Sequence, residues 1–109
     1  MVEFEQLITD VKWRIITLLS TRRLSPLQLA EVTKTSIANI SQQLRLLEAA
    51  GLVRKEKVSN RERGKPRTRY FISRDILYVV VLSRALQEKG MVELGESQRQ
   101  AVKKWLDAR

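Results

Sequence analysis

Two helix-start signals eleven residues apart restrict this chain more than any other feature of it. The first is Ser25 followed by Pro26: a serine hydroxyl can cap free helical amides, and proline tolerates the first helical position, where no amide partner is lost. Ser36 offers a second cap before another periodic run. The pattern predicts one helix from Pro26 to Val32, a polar turn of Thr33, Lys34 and Thr35, and a second helix from Ile37 to Ala50. Gly51 then serves as a left-handed terminator. Ile37, Ile40, Leu44 and Leu47 fall on one face of the second helix, and Asn39, Ser41, Gln42, Gln43 and Arg45 on the other. An ordinary solvated face favours Glu and Lys, whereas these amide, hydroxyl and guanidinium groups are suited to reading base edges. A merely solvated face is the plainer alternative.

The flanks extend this centre. Phe4, Leu7, Ile8, Val11, Ile15, Leu18 and Leu19 recur at helical steps, giving an expected helix from about Glu5 to Thr21. Trp13 and Ile16 lie off that stripe, as if the helix were covered on more than one side. After Gly51, the segments Leu52 to Val58 and Thr68 to Ile72 read as a two-stranded hairpin whose loop holds Gly64 and Pro66. Ser73 and Asp75 then look like the start of a further helix running through Ile76, Tyr78, Val81 and Leu86, with Gly90 as its stop. The valine triplet Val79 to Val81 also suits a buried strand, but length and the start signal favour a helix. A last helix is expected after Ser97, with Ala101, Val102, Trp105 and Leu106 on one stripe. So much apolar helix surface in a small chain implies a second subunit.

Charge is concentrated in the expected hairpin. The net charge is +9, yet residues 1–53 hold six basic residues against five acids, and residues 75–109 the same. Residues 54–74 hold nine (Arg54, Lys55, Lys57, Arg61, Arg63, Lys65, Arg67, Arg69, Arg74) against Glu56 and Glu62. A polyanion is the natural partner, because Lys and Arg contacts to phosphate release condensed counterions. A solvated basic loop is the bland reading, and an anionic membrane fits less well because no basic amphipathic helix with apolar anchors accompanies the charges.

Composition removes other classes. With neither cysteine nor histidine, the chain cannot form disulfides, zinc fingers or thiolate metal sites, or use Cys or His chemistry. No segment pairs a nucleophile with an activating group, so no enzyme, cofactor or metal is expected. At 109 residues the chain fits a single domain with a helix-turn-helix at about 26–50, a wing at about 52–72 and C-terminal dimerisation helices at about 74–108. Its start, MVEFEQLITDVKW, lacks the basic head and apolar middle of a secretory signal, and no apolar run is long enough to span a bilayer. A cytoplasmic, nucleoid-associated location is expected.

The run LAEVTKTSIANISQQLRLLEAAGLV, Leu29 to Val53, resembles the helix-turn-helix of ArsR-type and related MarR-type winged-helix regulators, especially compact archaeal examples. Leu29-Ala30-Glu31 is similar to their helix 2 signature, Ile40-Ser41-Gln42-Gln43-Leu44 to the centre of their recognition helix, and Leu47 to Val53 to the exit into the wing. The resemblance covers about Val11 to Ile72. It implies a mainly α fold with a small β-hairpin wing (α+β), extra N- and C-terminal helices, a recognition helix in the major groove and a wing along the backbone or minor groove. It also implies a two-fold dimer through the terminal helices. Two departures stand out: the Cys and His ligands of ArsR-type metal sensors are missing, and Thr35 replaces a commonly apolar position.

From these readings, Ser36, Ala38, Asn39, Ser41, Gln42, Gln43 and Arg45 are the expected DNA contacts of the recognition helix, with Ser36 equally explained as a cap. Arg61, Arg63, Lys65, Arg67 and Arg69 are the expected wing contacts, although Arg69 could instead pair with Glu56 across the hairpin. Phe4, Val11, Trp13, Tyr78, Val81 and Trp105 are assigned to dimerisation. Trp13, Tyr78 and Trp105 could also line an effector pocket, with core packing as the better alternative. The expected function is a dimeric, sequence-specific repressor binding double-stranded DNA. An architectural DNA binder and a winged-helix protein-interaction module are the alternatives, and RNA binding is weaker because only Tyr70 and Phe71 offer stacking groups in the basic segment.

Overall fold

A computed structural model describes residues 9–58 and 67–109. The chain divides into two compact units, Met1–Ser73 and Arg74–Arg109. The first contains three helices, α1 (Asp10–Leu19), α2 (Pro26–Thr33) and α3 (Ile37–Ala49), followed by an antiparallel pair of strands, β1 (Val53–Val58) and β2 (Arg67–Ile72). The second contains an antiparallel hairpin, β3 (Ile76–Leu82) with β4 (Gln87–Glu93), and a helix, α4 (Glu96–Asp107).

Local chemistry sets the helix ends in the first unit. Thr9 is extended and its side chain accepts from the Lys12 amide, which caps α1 at Asp10; the expected start at Glu5 lies outside the described residues. At Ser25 the capping box is complete: the hydroxyl accepts from the Gln28 amide at 3.2 Å, and Gln28 Oε1 accepts from the Ser25 amide at 2.9 Å. Lys34 ends α2 in the left-handed conformation, with φ of 56°. Ser36 caps α3 through the Asn39 amide at 3.1 Å, and Gly51, with φ of 79°, turns the chain into β1.

Ile15, Leu19, Leu29, Ile40, Leu44, Leu47, Leu52, Val53 and Tyr70 close the core of this unit. Thr33 is buried among them because its hydroxyl donates to the Leu29 carbonyl at 2.7 Å. Ile37 departs from the predicted stripe: it is 49% exposed, since the first turn of α3 projects beyond the core. Leu24 exchanges backbone hydrogen bonds with Tyr70 on the side of β2 away from β1, pinning the hairpin to the α1–α2 connection. Three helices, a turn between α2 and α3, and a two-stranded wing make the fold an α+β winged helix.

The expected helix after Ser73 is a hairpin instead. Ser73 caps nothing: its amide donates to the Leu52 carbonyl, and its hydroxyl donates to the Gly51 carbonyl at 3.2 Å, which ties the end of β2 to the exit of α3. The following run, ILYVVVL, is rich in side chains that crowd a helical turn at χ1 and pack readily on a pleated strand. Ser83 closes the turn by bonding both backbone groups of Leu86. Gly90 lies mid-strand opposite Val79 and terminates nothing. Ser97 is likewise inside α4, whose start is set by the Gln98 side chain accepting from the Gly95 amide at 2.8 Å.

Candidate nucleic-acid interface

Burying Ile40, Leu44 and Leu47 turns the opposite side of α3 outward. Ala38, Gln42, Arg45, Leu46 and Ala49 are exposed along it, and Ser36 is exposed at its N-terminal end. Asn39, Ser41 and Gln43 are half-buried on its flanks. Gln43 Nε2 donates to Asn39 Oδ1 at 3.1 Å, one turn away, while Gln43 Oε1 is buried with no hydrogen-bond partner among the described residues. With its carbonyl engaged, Asn39 keeps an amino group to present as a donor. The helix has no acid before Glu48, which lies 3.9 Å from Lys55. Of the seven recognition residues anticipated from sequence, Ala38, Gln42 and Arg45 therefore share the open ridge; Asn39 and Gln43 form a locked pair beside it; Ser41 flanks it and Ser36 is used as a cap.

The wing has one arginine-rich face. The register Arg54↔Phe71, Glu56↔Arg69 and Val58↔Arg67 puts these residues on one side of the pleat, with Val53, Tyr70 and Thr68 on the other. Glu56 is held by two guanidinium groups: Arg23 Nη1 donates to Oε2 at 2.6 Å, and Arg69 Nη2 to Oε1 at 3.0 Å. The Arg23 guanidinium also lies 4.1 Å from the centre of the Phe71 ring, a cation–π arrangement. Arg69 thus takes the cross-hairpin partner weighed above, whereas Arg54 and Arg67 are exposed. Arg61, Arg63 and Lys65 fall outside the described residues.

Arg23 was not anticipated, because its partner is 33 residues away along the chain. The only sequence signal is the Arg22-Arg23 pair next to the first helix-start motif. Among residues assigned to dimerisation, Phe4 is outside the described part, Val11, Tyr78 and Val81 are half-buried, and Trp13 and Trp105 are 55% and 70% exposed. Among the described residues no group of acids could hold a metal ion, and no helix is long and apolar enough to cross a membrane.

Residues 11–56 match the family model of a helix-turn-helix domain. The matched span runs from α1 through most of β1, so the open ridge of α3 is the exposed side of the second helix of a helix-turn-helix. A helix-turn-helix inside a winged helix supports DNA binding and a part in transcription regulation. No curated protein matches the chain. Among solved structures, the ferric uptake regulator from Francisella tularensis, determined with iron, is similar at 18% identity and a TM-score of 0.46, covering 97% of this chain and 81% of that one. A likeness of that strength carries no argument about this chain.

Proposed function

We propose that this chain is a sequence-specific transcription regulator of the ArsR type without metal sensing, a homodimeric repressor of the cytoplasm that binds double-stranded DNA. The observation that carries this reading is the acid-free outer ridge of α3, where Ala38, Gln42 and Arg45 stand exposed. Arginine is suited to the guanine edge, Gln and Asn to adenine, and an alanine methyl to thymine. Arg45, Gln42 and the amino group of Asn39 supply the directed contacts, and Ser41 a phosphate contact at the rim. Arg54 and Arg67, together with Arg61, Arg63 and Lys65 from the sequence between them, meet phosphates or a narrow minor groove. Arg69 contributes its charge while anchored to Glu56. Two such subunits would present recognition helices one turn of DNA apart, roughly 34 Å, and read a pseudo-palindrome. Bound over a promoter, the dimer represses by occupancy.

The two contact classes give different signatures by fluorescence anisotropy across a salt series. Gln42→Ala changes the ranking of duplexes, with about 1–3 kcal/mol lost at the base pair it reads. Arg67→Ala weakens every duplex alike and flattens the slope of log affinity against log salt by about one unit. If Gln42→Ala left the ranking untouched, α3 would not be the reading element.

A further inference from the structure

The residues from Arg74 to Arg109 form a unit of 36 residues in which not one side chain is buried. Units below about 40 residues generally require disulfides, a metal or self-association, and a lone two-stranded hairpin is marginal in water. Without cysteine a disulfide is closed to this one, and among the described residues no group of acids could hold a metal ion. Among the described residues the sheet has two strands only, so the outer edge of β3 has no neighbouring strand.

The two edges differ sharply. β4 carries Glu88, Lys89 and Glu93, the charges that discourage edge-to-edge pairing. β3, seven residues of sequence ILYVVVL, has neither charge nor proline, and on it Val80 is 57% and Leu82 84% exposed. The strand also reads almost alike from either end. About a two-fold axis at Val79, Ile76 meets Leu82, Leu77 meets Val81, and Tyr78 meets Val80, so each contact is aromatic or aliphatic. Beyond the strand, the same register sets Asp75 opposite Ser83 and diagonal to Arg84, and Arg84 opposite Arg74. Arg74 is already paired with Glu93 at 2.9 Å. Self-complementarity of this kind selects a second copy of the same strand over an unrelated partner.

We propose that β3 pairs antiparallel with β3 of a second copy, centred on Val79, making a four-stranded sheet in the order β4, β3, β3, β4 across the dimer. This rests on the reading of the chain as a homodimer and names its contact. Within the expected C-terminal dimerisation helices of about 74–108, it puts a strand edge in place of a helical contact.

A chain without cysteine permits a clean test. In the full-length protein, Val79→Cys places two thiols across the axis, where opposed Cβ atoms lie about 4.5–5.5 Å apart. Gly90→Cys is the control: it pairs with Val79 in the same row of the sheet, its added Cβ meets nothing within 4 Å, and it would be separated from its copy by three strand spacings, roughly 14 Å. With a short thiol-to-thiol crosslinker, Val79→Cys should link at least about tenfold faster than Gly90→Cys, since facing thiols react across one strand spacing. Val79→Lys, which opposes two ammonium groups at the axis, should reduce the light-scattering mass from two chains to one, with strand signal lost from the circular dichroism spectrum and the helical signal of the winged unit kept. A two-chain mass with Gly90→Cys linking as fast, or with Val79→Lys still dimeric, overturns the β3 contact and leaves the homodimer standing. A one-chain mass for the unsubstituted protein overturns both. Neither result touches the contacts of α3 with a single half-site, which anisotropy reads separately.

Discussion

Lys34 holds the turn between α2 and α3 with a φ of 56°, where a side chain bearing Cβ pays a steric cost of about 1–2 kcal/mol. Its amide still donates to the Ala30 carbonyl, so the turn is closed at the expense of that strain. Lys34→Gly removes the clash but adds freedom to the unfolded chain, and the balance is a gain of up to about 1 kcal/mol in chemical denaturation. Glu56 makes the opposite case. It accepts from Arg23 and Arg69 while about a third exposed, where each such pair contributes about 0–1 kcal/mol. Glu56→Gln should therefore lower stability by roughly 1 kcal/mol or less. The same change leaves two guanidinium charges without their counter-charge, so binding to random duplex at low salt tightens and its salt slope steepens. Unchanged affinity would mean that Arg23 and Arg69 lie away from the phosphates. Of this cluster, the Arg69–Glu56 pair was legible in the sequence because two antiparallel strands close together along the chain fix which residues oppose each other. Arg23 was not, since only the folded α1–α2 connection brings it there.

α2, α3 and the wing strands were legible for a related reason: their limits are set by neighbours a few residues away. Ser25 with Gln28, Ser36 with the Asn39 amide, and Gly51 at positive φ each close an element locally. The segment after Ser73 lacks such a determinant. ILYVVVL is apolar on every side, so neither the helical nor the strand period stands out, and Ser73 imitates a cap although its hydroxyl is engaged by Gly51. What decides is pairing with Gln87–Glu93, whose first four residues, Gln, Glu, Lys and Gly, by themselves read as helix surface and a stop. Tertiary pairing overrides local propensity there. On α3 itself, the half of the helix facing outward was readable from periodicity, but the division of its polar residues was not. Which amides would be free and which locked, as Asn39 and Gln43 are, depends on how far α3 sinks into the core.

Across the whole chain, polar reading groups and basic charge gather in the winged unit, while the hairpin unit keeps an uncharged strand edge and little net charge. On the proposed reading, that division gives DNA contact to the first unit and self-association to the second. An architectural protein could use the same wing charges, but it would have no need of a carboxylate-free ridge on α3. The measurement that separates the two most directly is selection of fragments from the source genome by the purified full-length chain, with the enriched sequences then compared against random duplex across a salt series. The account predicts one pseudo-palindromic site favoured over random DNA by at least about 10³. Equal and steeply salt-dependent binding to every duplex would contradict it, and the roles given to Asn39, Gln42 and Arg45 would fall with it.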